Sequence, residues 1–420
     1  MNPYRMAPPP RWWGPKLKPW FVRLMRGYRV RRQRREQQLR DITIEGAERV
    51  RELVNDGCGV LITPNHPTHA DAYSMYAAAD AVGTPFHFLS TWHVFESEHF
   101  WGQLALQWHG CFSIDREGAD MQAFRTAVGI VAEKNSPLVI FPEGEVYHQN
   151  DRVTPFREGP AVIALSAAKR AKRPIVSVPC ALKYVYTQDP TDALLKVMDS
   201  LEHKIFWRPK KEFPLADRIL TFADAILMLK EKEWLKAPGH GSLAERTDRL
   251  AHCVLEQLEQ RHSLTPAERT IPERVKELRS RLLTQLTEAD SDAETQAAIN
   301  DDLDDVFFVV QLFSYPGDYL EEAPSVERLA ETLDKFEEDV LGEYSATVRA
   351  PRRSIVRFGE PLPVESRRDR RAAAAELTHE LEHRVQGLLN AINSELNNAR
   401  SATGRTVNEE AANREVTPDG

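Results

Sequence analysis

Gly59-Val60-Leu61-Ile62-Thr63-Pro64-Asn65-His66-Pro67-Thr68-His69-Ala70-Asp71 is the stretch on which the reading of this chain turns. A short apolar run closed by proline reads as a buried strand. The polar loop behind it then stands at a strand's carboxyl end, where open α/β sheets hold their ligands. Residues 72–81 are rich in helix formers, which places Asp71 near a helix start. His66 and Asp71 are five positions apart, a spacing that would set them on largely opposite faces of one straight helix. Pro67 favours a bend between them, because proline is tolerated only in a first helical turn or a loop. A carboxylate on one imidazole nitrogen fixes the tautomer and stabilises the imidazolium, leaving the other nitrogen to act as a general base. Two blander readings stand beside this one. The pair is a structural hydrogen bond, or His66, His69 and Asp71 form a metal site, although their spacing matches neither H-E-x-x-H nor a Cys/His pair arrangement.

Working outward, residues 41–186 alternate short apolar runs with helix-like segments, the pattern of an α/β domain. The candidate strands are 59–62, 86–89, 111–114, 138–141 and 175–185. The candidate helices are 44–55, 72–82, 96–108, 120–134 and 160–170. Three strand ends carry polar residues: the His66 loop, Asp115-Arg116-Glu117-Gly118 and Pro142-Glu143-Gly144-Glu145. They are expected to share one rim. Residues 189–345 are long, charged and helix-favouring, with helix starts at Thr265-Pro266-Ala267-Glu268 and Thr270-Ile271-Pro272-Glu273. The apolar runs 219–229 and 306–313 read first as buried helix faces and second as membrane-docking patches. No internal repeat stands out. A strand at 354–358 and a helix at 371–396 complete the core, and the polar residues 397–420 read as a disordered tail. The fold class is therefore α/β, a mixed sheet flanked by helices, with a large helical insertion (189–345) and a basic N-terminal arm (1–40) on a core of 41–188 and 346–396.

The arm is set apart by charge. Residues 1–40 hold twelve basic side chains against one acid, Glu36, a net +11, so the remainder carries −19 to give −8 overall. Trp12, Trp13 and Trp20 lie among the prolines and arginines of this arm, followed by Phe21, Val22, Leu24, Met25 and Tyr28. That composition fits a segment lying in an anionic membrane interface. Packing on the acidic body and single-strand nucleic-acid binding are the competing readings, the latter not favoured. The four cysteines, Cys58, Cys111, Cys180 and Cys253, form no C-x-x-C pair, so a reducing compartment is expected. No run approaches the ~20 apolar residues of a spanning helix and no signal peptide is evident. The expectation is a cytoplasmic protein, peripheral on the cytoplasmic face of a membrane.

Four blocks in order resemble those of the glycerolipid acyltransferases, the lysophosphatidic acid and glycerol-3-phosphate acyltransferase superfamily. Asn65-His66-Pro67-Thr68-His69-Ala70-Asp71 is similar to the family's N-H-x-x-x-x-D block, and Gly110-Cys111-Phe112-Ser113-Ile114-Asp115-Arg116 to its second. Phe141-Pro142-Glu143-Gly144 is similar to the F-P-E-G block, and Pro174-Ile175-Val176-Ser177-Val178-Pro179 to the fourth. The resemblance implies an acyltransferase fold and activity, 1-acylglycerol-3-phosphate O-acyltransferase-like. A fatty acyl group would pass from acyl-CoA or acyl-carrier protein to a hydroxyl of a lysolipid acceptor, with no metal and no cofactor beyond that co-substrate. It implies His66 as general base, Asp71 as its orienter, and Arg116, Glu143 and Gly144 in acceptor binding. Many relatives continue the third block with Thr-Arg-Ser. Here Glu145-Val146-Tyr147 follows, so a second phosphate-binding arginine is missing and Arg152 and Arg157 are the candidates to replace it. The rival functions are a metal-dependent hydrolase built on His66, His69 and Asp71, and a non-catalytic membrane-binding module led by the arm.

Overall fold

The computed structural model describes residues 11–116, 120–264, 269–288, 292–320, 324–343, 345–366 and 369–415. The sequence-derived helix start at Thr265–Glu268, together with Glu117 and Gly118, lies outside them. The fold is mixed α/β: among the described residues eight strands form one mixed sheet flanked by helices. The strands are β1 Leu39–Glu45, β2 Gly59–Pro64, β3 His87–Thr91, β4 Cys111–Ile114, β5 Leu138–Val139, β6 Ile175–Tyr186, β7 Arg352–Phe358 and β8 Leu362–Val364. Two compact units divide the chain. The first comprises Met1–Arg40, Pro85–Ala127 and Val185–Arg352; the second comprises Asp41–Thr84, Val128–Tyr184 and Arg353–Gly420.

In the second unit β2 is central, parallel to β5 on one side and to β6 on the other, with Leu61 opposite Leu138 and Ser177. A strand buried on both faces must be apolar at successive positions rather than alternate ones. All six β2 residues are buried accordingly. Burying Val60, Leu61 and Ile62 contributes roughly 1.5–3 kcal/mol each against exposure. Gly59 opens the strand because a Cβ there would stand 2.1 Å from the Val131 carbonyl oxygen and 2.5 Å from Ile175 Cδ1. β8 pairs antiparallel with β6, which makes the sheet mixed. The helices Ala47–Asn55, Asp71–Val82 and Gly159–Arg170 and the final helix belong to this unit.

The final helix runs Arg370–Glu415 and so continues past residue 397, from which composition leads one to expect a disordered tail. Residues 397–415 contain no proline and are dense in Ala, Arg and Glu, so local propensity continues the helix although few apolar residues remain. At the other end, Leu39–Glu45 forms a strand, so the helix expected from residue 44 starts later. The alternation Ile42-Thr43-Ile44 suits a pleated surface, and the helix begins only after Gly46.

The first unit is mostly helical. Its last segment buries Leu250, Val254, Leu258, Leu278, Leu303 and Val306 in one core. A second core gathers Leu194, Met198, Ile219, Phe222 and Leu333. The apolar runs 219–229 and 306–313 therefore supply core faces. An internal repeat is present here, contrary to the sequence reading. Leu215-Ala216-Asp217-Arg218, Leu243-Ala244-Glu245-Arg246 and Ile271-Pro272-Glu273-Arg274 each open a helix, 28 positions apart. Each arginine closes as the same fork on a buried glutamate of the preceding helix, Nε to Oε1 and Nη2 to Oε2. Arg218 meets Glu202 at 3.2 and 2.6 Å, Arg246 meets Glu231 at 2.9 and 2.8 Å, and Arg274 meets Glu259 at 2.8 and 2.7 Å. Bidentate pairing fixes the angle between successive helices as well as the charge.

The arm packs within the first unit. Trp13 is 4 % exposed and stacks on Phe95 at 5.4 Å, and its backbone N–H donates to Ser113 Oγ at 2.9 Å. After Trp13 the chain enters two short helices, Pro19–Leu24 and Arg26–Glu36. No helix among the described residues is long and apolar enough to cross a membrane.

Candidate active site

The loop after β2 is aimed by Asn65. Its buried amide imitates a strand partner of β6: Oδ1 accepts the Leu182 N–H at 2.7 Å and Nδ2 donates to the Leu182 carbonyl at 3.0 Å. The chain then turns through Pro67 and Thr68, with the Asp71 N–H donating to the Thr68 carbonyl at 3.1 Å. Asp71 becomes the first residue of the helix Asp71–Val82. The bend removes the obstacle that a five-residue spacing poses in a straight helix. His66 Nδ1 lies 2.7 Å from Asp71 Oδ2, which also accepts the Thr68 N–H at 3.2 Å. A carboxylate in a first helical turn is favoured by the N–H groups and the dipole there. Asp71 is 0 % exposed, whereas the His66 side chain keeps 22 % of its surface open. One helical turn on, buried Ser74 bonds the Tyr184 hydroxyl at 2.8 Å and Ser354 Oγ at 2.9 Å, fastening the Asp71 helix to the strands behind it.

Two contacts hold the imidazole, Asp71 at Nδ1 and Phe141 stacked on the ring at 4.1 Å between centroids, and the His66 backbone N–H donates to Glu143 Oε1 at 2.7 Å. With its Nδ1 proton directed at a carboxylate, the neutral ring presents Nε2 as a proton acceptor.

Two of the three polar strand ends, the His66 loop and the Glu143 turn, thus meet in the second unit. Glu143 is expected to serve the acceptor, but its carboxylate is buried and engaged with the protein. Oε1 takes the His66 N–H, and Oε2 takes the Thr154 N–H at 3.2 Å and the Thr154 hydroxyl. Burial pushes its pKa up to about 7, against the lowering effect of the Thr154 hydroxyl and the His66 N–H. Its observed part is to tie the His66 backbone to the segment of Thr154.

Gly144 has φ +83, and a Cβ there would fall 2.7 Å from Arg157 Nε. Its N–H donates to the Phe141 carbonyl at 3.2 Å and closes the turn, so it does not point outward as a phosphate donor would. Of the two candidate replacements for the missing arginine, Arg157 is the one brought against this turn. Its guanidinium also bonds the hydroxyl of Tyr147, whose pKa burial pushes up to about 12. Arg152 is exposed on the following loop. Arg116 occupies the turn after β4, in the first unit. His69, a proposed ligand of the metal reading, has its ring 5.7 Å from that of His148.

Asn65, Phe141 and Thr154 are the residues to which sequence reasoning assigned no role. Asn65 opens the segment Asn65–Asp71 and Phe141 opens Phe141–Gly144. Thr154 carries no local signal, because only the fold brings it to Glu143.

A buried carboxylate orients a partly open histidine at the end of a central parallel strand, an arrangement chemically able to accept a proton at the free imidazole nitrogen. Residues 41–183 match the family model described as Acyltransferase. No curated protein matches the chain.

Proposed function

We propose that the chain transfers a fatty acyl group from a thioester, acyl-CoA or acyl-carrier protein, to a hydroxyl of a lysophospholipid or related acceptor. The observation that carries this is the 2.7 Å bond between His66 Nδ1 and Asp71 Oδ2, with Asp71 buried and His66 partly open. His66 Nε2 takes the acceptor hydroxyl proton as the oxygen attacks the thioester carbonyl. The C–S bond breaks, the acyl ester forms, and the thiolate leaves to be protonated, with no acyl-enzyme between. The Asp71 carboxylate stabilises the imidazolium while it exists. Arg116, by the family resemblance, and Arg157, by its place over the Gly144 turn, are the groups proposed to read an acceptor phosphate.

Purified protein incubated with mixed acyl donors and lysolipids, read by lipid mass spectrometry and free-thiol release, tests the reading. His66→Ala should lower turnover by about 10²–10⁴-fold, the usual contribution of a positioned general base. Asp71→Asn should follow in the same direction. Undiminished turnover in both would end the assignment. Activity lost to a chelator, with bound metal by elemental analysis, would replace it by a metal-dependent hydrolase. Arg116→Lys should raise the acceptor KM through loss of bidentate geometry, and an unchanged KM removes Arg116 from the acceptor site.

A further inference from the structure

The helices Pro19–Leu24 and Arg26–Glu36 are joined through Met25, whose backbone stays right-handed, so one 3.6-residue period runs through both. On that period Val22, Arg29 and Gln33 share one face, and all three are buried. Trp20, Leu24, Tyr28, Arg31 and Arg35 share the opposite face. Trp20 is 58 %, Leu24 70 % and Tyr28 56 % exposed.

The usual distribution is partly reversed. The face turned to the protein carries a guanidinium and an amide beside Val22, and the face turned outward carries an indole, an isobutyl group and a phenol beside Arg31 and Arg35. Arg29 is satisfied where it lies, donating to the Val22 carbonyl at 2.5 Å and meeting His109 Nε2 at 3.2 Å. Phe21 packs edge-on to Trp108 at 4.9 Å. The helix pair is thus held to its unit by polar bonds and by aromatic contacts of Phe21 with Trp108 and His109 and of Trp20 with Trp108 at 6.2 Å, while an apolar stripe that includes the rest of the Trp20 surface is presented to the outside. Such a stripe marks an interaction surface.

The same face continues into a concavity of about 490 Å³ lined by Arg31, Arg34, Arg35 and Arg40, with Gly27, Val30 and Gln38. Among the described residues no acid lines it. A Cβ on Gly27 would meet nothing within 4 Å, so packing does not require glycine there. Arginine in a last helical turn complements the helix dipole, which accounts for Arg34 and Arg35. It does not account for Arg40, which stands on β1 beyond the helix.

We propose that this face is a membrane-docking surface: the arginine concavity binds the phosphate of an anionic phospholipid headgroup while Trp20, Leu24 and Tyr28 enter the bilayer interface beside it. Trp20 to Arg35 spans about 22 Å of helix axis, so apolar insertion and headgroup binding both fit a helix lying in the membrane plane. Arginine with aromatics also suits single-stranded nucleic acid, but Leu24, the most exposed of the three apolar residues, gains nothing from base stacking. The inference refines the arm's expected part at a membrane and does not rest on the acyl-transfer reading.

The test is co-sedimentation of the full-length protein with vesicles of phosphatidylcholine containing one-third phosphatidylglycerol, against pure phosphatidylcholine, at physiological salt. The anionic vesicles should be bound and the neutral ones only weakly. Replacing Arg31, Arg34 and Arg35 together by Gln should weaken anionic binding on the order of 100-fold, about five-fold per arginine. Trp20→Ser with Leu24→Ser leaves the arginines in place and should weaken binding about 10-fold or more, so the proposal stays testable if the triple variant is misfolded by circular dichroism. Millimolar inorganic phosphate should leave vesicle binding unchanged. The proposal is overturned if neutral vesicles bind equally, or if folded variants bind as the parent does. It is overturned too if free phosphate displaces the vesicles, or if a single-stranded oligonucleotide binds more tightly and loses binding with the triple arginine variant.

Discussion

In the helical part of the first unit, Glu202, Glu231 and Glu259 each face the fork of an arginine; in the second unit, Asp71 and Glu143 face an imidazole, backbone N–H groups and a hydroxyl. Both sets of carboxylates are buried. The difference lies in what neutralises them. A guanidinium cancels the charge outright and makes a staple between helices. Neutral donors leave the charge in a low-dielectric place, where its proton affinity is open to change. Glu231 and Glu143 show the two outcomes: the hydrogen bonds from Arg246 hold the Glu231 carboxyl below its ordinary value, while burial lifts Glu143 to about 7.

The largest expected effect tests the staple. Arg246→Ala leaves the buried Glu231 charge uncompensated and should lower the unfolding free energy by about 3–5 kcal/mol in urea titration. Replacing both partners by Met should restore most of that loss. If the single substitution cost under about 1 kcal/mol, the repeated forks would not be stabilising links, and the contrast with the second unit would collapse.

The next effect turns on sign. Glu143 has an ordinary value of 4.5 and a folded value of about 7, so between these pH values the folded state keeps a proton that the unfolded chain has released. Stability from this group is full below pH 4.5 and is lost as pH rises toward 7, on the order of 3 kcal/mol in all. Glu231 has the opposite slope, contributing above pH 4.5 and losing its contribution as pH falls through its depressed value. Glu143→Gln cannot ionise. Its stability relative to the parent should therefore rise by on the order of 3 kcal/mol from pH 5 to pH 8. A pH-independent difference would mean that Glu143 is ionised throughout, as the paired glutamates are.

The smallest effect provides the baseline. Arg384 and Glu380 form an i, i+4 pair at 2.6 Å on the final helix, both partly exposed to solvent. Arg384→Ala should change the unfolding free energy by no more than about 0.5 kcal/mol. A larger loss would show that burial is not what separates the forks from ordinary surface pairs.

The parallel core was legible because burial on both faces forces apolar runs of strand length. Cys111–Ile114 appears with the expected bounds, and Ile175–Tyr186 and Gly59–Pro64 differ only at their ends. The His66–Asp71 pair was legible because both residues sit in one loop. The helical repeat is written in the sequence at Leu215, Leu243 and Ile271, yet four-residue matches carry little weight by themselves. They become a repeat once Arg218, Arg246 and Arg274 are each seen to close on a glutamate from the helix before. The arm divided. Its composition suggested an interface, but which tryptophans are available depended on packing: Trp13 is buried and Trp20 is not.

The sequence alone determined the strand–loop–helix that carries His66 and Asp71, since apolar run, proline bend and helix start all act over neighbouring residues. Only the tertiary structure decided that Asn65 clamps Leu182, that Glu143 ties His66 to Thr154 rather than reaching outward, and that Arg157 covers Gly144. Those contacts join separate segments of chain, and side-chain reach across a fold is set by where the segments pack. A hydrogen-bonding side chain advertises its chemistry in the sequence; its partner is chosen by packing.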